Sequence, residues 1–240
     1  MDPSAEPAPR NLIVNADDLG LSATVNDGIF AAHREGIVTS ASLMVRQGAA
    51  AAAAERAGEM PDLAVGLHVD LGEWNYEEGE WTLAYSHCDS DDPEAVAVEC
   101  QAQLERFRAL LGRDPTHLDS HQHVHESEPV KGVTEALAAE LGVPLRNRAI
   151  RYEGGFYGQS GKGEPFPAGI TPARLIELIH SLPPGWTEIG CHPAAGPVPT
   201  SSYDTERQVE LATLRAPEVR SLFDREGVAL RSFAEARARA

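Results

Sequence analysis

The sequence predicts an α/β fold, a TIM-like (β/α) barrel with about seven strands or a distorted ring. Three observations carry that expectation. Short apolar runs alternate with helical patterns along the chain. The alternation repeats about seven times, which favours a closed or nearly closed parallel sheet over an open one. The GxGxxG turn expected after the first strand of an open dinucleotide-binding sheet is absent.

The elements follow in order. Residues 1–10, rich in Pro and Ala and without the apolar stretch of a signal peptide, read as a flexible tail. Residues 11–240 read as one catalytic barrel domain, since 240 residues at 42% hydrophobic composition suffice for one sizeable core. Strands are expected at 11–16, 38–45, 64–69, 116–119, 143–147, 188–191 and 228–233. Helices are expected at 23–35, 47–57, 93–111, 129–141, 172–181 and 206–224. Pro93, Pro129 and Pro172 stand where a first helical turn tolerates proline, and Gly36, Gly112 and Gly142 where helices stop. Segments 72–92 and 154–169 read as long loops.

The 20 Lys and Arg against 37 Asp and Glu give a net charge of −17, which repels phosphate backbones and argues against nucleic acid as a partner. No apolar run approaches the roughly 18 residues of a membrane span. Cys88, Cys100 and Cys191 form no CxxC pair and read as reduced thiols, so a cytoplasmic protein is expected.

Polar residues interrupt the apolar runs at one recurring place. The first run ends in Asn15-Ala16-Asp17-Asp18, which reads either as a turn with a helix cap or as a pair of working carboxylates. The third ends Gly66-Leu67-His68; a lone histidine there is more often a hydrogen-bonded core residue than a ligand. The fourth reads Thr116-His117-Leu118-Asp119-Ser120-His121-Gln122-His123-Val124-His125. If that strand continued, His117, Asp119, His121 and His123 would share a face. The fifth ends at Arg146 and the sixth at His192. Asp17, Asp18, His68, His121, Arg146 and His192 therefore stand at the C-terminal ends of different expected strands, the end at which such folds build their sites. One Asp with two His is a reasonable set for a divalent metal with open positions. His33, His87 and His180 lack that context and read as structural or solvated.

These motifs, together with Gly36-Ile37-Val38-Thr39-Ser40 and Cys191-His192-Pro193-Ala194, resemble the YdjC-like family, which includes chito-oligosaccharide deacetylases. The resemblance runs from Asn11 to about Phe233. It implies metal ligands at Asp18, His68 and His121, a catalytic base at Asp17 and a general acid at His192. It also implies one divalent ion (zinc or magnesium, with cobalt or nickel as further candidates) and a symmetric dimer. The 72–92 segment looks shorter than in the chitin-fragment enzymes, and Glu77, Glu78 and Glu80 within it suggest a small, cationic amino-sugar ligand.

The expected reaction is metal-dependent hydrolysis of the N-acetyl group of a small sugar. Arg146 would hold Asp17 ionised, and Glu188 or Asp119 would raise the pKa of His192. His123, His125, Trp74, Tyr76, Phe156 and Tyr157 are the candidate sugar contacts, with loop anchoring the alternative for the aromatics. The competing classes are a metal phosphoesterase on a similar barrel and an inactive sugar-binding member; acetate release with and without chelator separates them.

Overall fold

A computed structural model of the chain describes residues 9–237 except 78, 200 and 224. Strand β1 (Arg10–Leu19) leads to helix α1 (Ala23–Glu35), then β2 (Ser40–Leu43), α2 (Ala50–Gly58) and β3 (Ala64–Val69). A hairpin of β4 (Gly72–Glu77) and β5 (Glu80–Ser86) precedes α3 (Pro93–Leu111), β6 (Leu118–Ser120) and α4 (Val130–Leu141). The chain continues through β7 (Arg151–Glu153), α5 (Pro172–His180), β8 (Gly185–Cys191) and α6 (Thr205–Leu214). It ends with α7 (Pro217–Arg220), β9 (Val228–Arg231) and α8 (Phe233–Arg237). Of the expected tail, only Pro9 and Arg10 fall within the described residues, and Arg10 already belongs to β1.

The main sheet is parallel, in the order β6-β3-β2-β1-β8-β7, with β9 paired to the first half of β1. It curls, and among the described residues its two ends are linked only by isolated bridges, Leu118 to Leu145 and Arg146 to Ile150. The α/β class is as expected, but the arrangement is a curled half-barrel and the expected strand at 143–147 does not form a ladder. Pro144 lacks a donor, and Asn147 turns the chain at φ 55°. The 72–92 segment, expected to be a loop, contains the antiparallel β4–β5 hairpin, turned at Gly79 with φ 93°. The expected helix 206–224 divides into α6 and α7 because Pro217 cannot continue a helix, and its last residue lies outside the described residues.

Side-chain alternation builds the interior in layers. Leu12, Val14 and Ala16 of β1 face outward into the main core with Ile29, Phe107 and Leu175. Ile13, Asn15 and Asp17 face inward. At the floor, Ile13 packs with Ala64, Ile150 and Phe233. The His117 ring stacks on Phe233 at 3.8 Å, and Gly66 makes room for it: a Cβ there would lie 2.4–2.6 Å from the imidazole. Above the floor lies a polar layer of Asn15, Ser42, Asp119, Arg146 and Glu188, all buried. Asp17, His68 and His192 stand at the open, C-terminal end.

Candidate functional site

Asp17 points inward from β1 by alternation, so Asp18 should point out. It does not, because the β1–β2 register shifts between Ala16 and Leu19 and Asp18 adopts φ 66°. A non-glycine residue held there stores local strain, a feature that clusters at functional sites. Both carboxylates consequently line the same cavity, of about 570 Å³.

Asp18 Oδ1 lies 3.4 Å from His68 Nε2 and 3.2 Å from His121 Nδ1. Donor atoms of these three residues all lie within 4.8 Å of one another. His68 is aimed by its other nitrogen, 2.9 Å from Asp119 Oδ1. His121 Nε2 is buried without a hydrogen-bond partner. One carboxylate, two imidazoles and an orphaned ring nitrogen fit a divalent ion. A second group, Asp17, His68 and Asp119, has comparable spacing. Arg146 already binds both of its carboxylates, which leaves the first as the better site. Burial alone would raise the Asp18 carboxyl, but Arg207, His121 and His68 hold it well below its ordinary value. Burial would likewise lower His68, yet Asp119 and Asp18 hold it well above.

Asp17 receives two parallel hydrogen bonds from Arg146, each 2.7 Å. Against the effect of burial, this pairing keeps the carboxyl below its usual range. Arg146 is itself fully buried, with its Nη2 2.9 Å from Asp119 and 2.6 Å from Glu188. Tyr152 covers the guanidinium at 4.9 Å.

His192 Nε2 lies 3.8 Å from Asp17 Oδ2, and its Nδ1 lies 3.8 Å from Glu210 Oε1. The backbone N–H of His192 donates to Glu210 Oε2, and the Tyr203 hydroxyl donates to Oε1. Burial would lower this imidazole, but Glu210, Asp17 and Asp18 raise it above its ordinary value. The carboxylate beside His192 is therefore Glu210, not Glu188 or Asp119, which are taken by Arg146 and His68.

Arg207 and Glu210 are the site residues that sequence reasoning missed. Arg207 donates to Asp18 Oδ2 at 2.7 Å and to the Tyr203 carbonyl at 2.7 Å. Both residues lie on the buried stripe of α6, with Leu211 and Leu214. Two charges at the i, i+3 places of a helical stripe that also carries Leu211 and Leu214 were the available signal.

Trp74, Tyr76, Phe156, Tyr157 and His123 all line the cavity. Phe156 is nearly buried, and Tyr157 stacks on Tyr203 at 4.6 Å and meets the His192 ring edge at 5.4 Å. β6 does not continue past Ser120: Gln122 and His123 turn at φ 50° and 54°. The shared face expected of residues 117–123 is thus broken. His117 goes to the floor, while His121 and His123 reach the cavity through the turn. Burial drives the His123 imidazole down to about 4, so it is neutral at physiological pH. His125 is fully buried, is not part of the cavity lining, and its Nδ1 meets the Ser120 hydroxyl.

Glu188 gives a test of this layer. Burial, with Asp119 and Asp17 nearby, outweighs Arg146 and raises its carboxyl from 4.5 to about 7, and its Oε2 has no partner. A carboxyl raised on folding contributes stability that is full below about pH 4.5 and is lost as pH rises through about 7. Glu188→Gln imitates the protonated form. It should gain about 1–3 kcal/mol at pH ~8 and much less at pH ~5 in denaturant unfolding. A gain independent of pH would show that Glu188 is ionised throughout.

The comparisons with known proteins point to one family. Residues 11–225 match the model of the YdjC-like protein family. A carbohydrate deacetylase of Geobacillus stearothermophilus is 38% identical over 250 residues, covering 95% of this chain and 98% of its own. A chitooligosaccharide deacetylase of Yersinia pestis is 35% identical, covering 92% and 97%. Among solved structures, a candidate cellobiose-phosphate cleavage protein of Enterococcus faecalis superposes with a TM-score of 0.78 at 27% identity, covering 95% of this chain and 99% of that one. A family 4 acetyl xylan esterase of Clostridium thermocellum holding a cobalt ion shares the fold at a TM-score of 0.53 and 11% identity, covering 94% and 89%. With an acidic pair, two histidines and a matching family model over most of its length, this chain belongs to the YdjC-like family of carbohydrate deacetylases.

Proposed function

We propose that this protein hydrolyses the acetamide of a small N-acetylated sugar to acetate and an amine, with Asp18, His68 and His121 holding one divalent metal ion. The observation that carries this reading is the pairing of an ionised, Arg-bound Asp17 with a carboxylate-supported His192, 3.8 Å apart across the mouth of the cavity. Bound there, the ion would supply Lewis-acid polarisation and a more acidic water. Zinc, cobalt and nickel suit the imidazoles, while magnesium prefers more oxygen.

The chain's own groups divide the proton work. Asp17 is ionised at neutral pH because Arg146 lowers its pKa, so it can accept the proton of an attacking water. Arg146 also fixes the carboxylate plane, which limits the directions from which a proton can arrive. His192 is protonated over a wider range than a free imidazole because Glu210 faces it. It can hand a proton to the departing amine, which is otherwise a poor leaving group. Tyr157 and Tyr203 pack beside His192 and hold its ring.

Acetate release from short N-acetylglucosamine oligomers, with and without chelator, tests the reaction. His68→Ala and His121→Ala should lose bound metal and turnover together; full metal occupancy in both variants by elemental analysis would remove them as ligands. Asp17→Asn should keep its metal and lose roughly 10²–10⁴-fold in rate, the usual worth of a positioned base. Near-normal turnover would place the base elsewhere. His192→Ala should keep its metal, lose most amide turnover and lose less on an activated acetyl ester, whose leaving group needs no proton. Equal losses on the two substrates would argue against an acid at this position.

A further inference from the structure

Asp18 turns its two carboxylate oxygens to different partners. Oδ1 faces the two histidines, 3.4 Å from His68 Nε2 and 3.2 Å from His121 Nδ1. Oδ2 accepts a hydrogen bond from Arg207 Nη2 at 2.7 Å. The two side chains of this ion pair are 3% and 2% exposed, so water screens it little. Arg207 is also seated by groups other than Asp18. Its Nε donates to the Tyr203 carbonyl at 2.7 Å and its Nη1 to the His192 carbonyl at 3.5 Å. The backbone at the root of that side chain is tied to the loop after β8, where the Ala194 N–H donates to the Arg207 carbonyl at 3.2 Å. The fold therefore holds the guanidinium opposite Oδ2, and the carboxylate does not have to draw it there.

This arrangement bears on how Asp18 can meet a cation. A carboxylate that gives one oxygen to a buried guanidinium has one oxygen left. It also brings less negative charge, because Asp18 and Arg207 cancel and two neutral imidazoles add none. The remaining charges that line the cavity have their own settings. Asp17 is paired with Arg146, His192 faces Glu210, and Glu73 lies across the cavity on β4. None of these touches Asp18 Oδ2. A donor that pulls on a ligand oxygen makes it a poorer donor to a metal, and the bound ion then keeps more of its own charge.

We propose that Arg207 is a positioning residue that confines Asp18 to one metal-facing oxygen and, by its charge, lowers metal affinity while leaving the ion more strongly polarising. This rests on the reading of Asp18, His68 and His121 as ligands, and metal binding tests it without turnover. Cobalt(II) uptake by the metal-free, full-length protein is measured against a competing chelator, together with the visible cobalt absorption. Arg207→Met removes the charge and the donors and should bind cobalt about tenfold or more tighter than the wild type. Its visible absorption should weaken as Oδ2 joins the coordination shell, because cobalt(II) absorbs less at higher coordination number. Arg207→Gln carries the same expectations and covers a failure of Arg207→Met to fold. Arg207→Lys keeps the charge and should stay within about threefold of the wild type. A merely structural role predicts the opposite sign, because an Asp18 that has lost its support binds metal about 10–100-fold more weakly. The proposal is overturned if the folded neutral variants bind cobalt no tighter than the wild type, if their absorption is unchanged, or if Arg207→Lys tightens binding as much as they do. A wild type that binds no cobalt would remove the ligand assignment itself. A wild type that binds cobalt but releases no acetate from N,N′-diacetylchitobiose would sink the deacetylase reading and leave the role of Arg207 standing.

Discussion

Arg146 sets its guanidinium among three carboxylates, Asp17 at 2.7 Å, Asp119 at 2.9 Å and Glu188 at 2.6 Å, and all four side chains are buried. Ionised carboxylates at this depth are costly alone, and an arginine stays charged where a lysine would lose its proton. The cluster holds more negative than positive charge if all three acids ionise. Its members therefore divide the load. Asp17 and Asp119 are held below their ordinary values, and Glu188 is pushed up. Asp119 in turn aims His68, and Asp17 faces His192. One buried cation thereby orders both the proposed base and a proposed metal ligand.

The curl of the sheet is what allows this. Arg146 lies on the segment that bridges the two ends of the sheet, with its N–H on the Leu118 carbonyl at 2.9 Å. Its side chain reaches residues from β1, β6 and β8 at once. A flat sheet would place those strands too far apart for one side chain, at roughly 4.8 Å per strand spacing. The apolar floor of Ile13, Ala64, Ile150 and Phe233 closes the other end, beneath the cluster. α6 completes the site from outside the sheet. Its Arg207 braces Asp18 and its Glu210 braces His192, one turn apart on a single helix face.

Much of the fold and the inner site was legible in the sequence. Apolar runs broken by Asp17, Asp18, His68, Arg146 and His192 pointed to strand ends, because a polar residue closing an apolar strand needs a reason to be there. Residues of the hairpin were harder. Trp74, Tyr76 and Trp81 lie among acids and glycine, and the single alternation of Trp74 with Tyr76 is too short and too polar to separate from a loop. The turn after Ser120, which decides where His121 and His123 point, was not legible because its left-handed residues Gln122 and His123 carry no turn signal.

The sequence by itself determined the α/β class, the order of most elements and the identity of the acidic pair and histidines, because local periodicity and abrupt polarity changes are written in neighbouring residues. Tertiary structure alone decided which carboxylate serves which histidine. Glu210 lies 18 residues from His192 and Arg207 lies 189 from Asp18, distances over which sequence spacing carries no geometric information. It also decided that Asp18 turns inward beside Asp17, because that depends on a register shift against β2. Pairings of this kind are chosen by the curl of the sheet and by where α6 packs against it, and neither exists until the chain has folded.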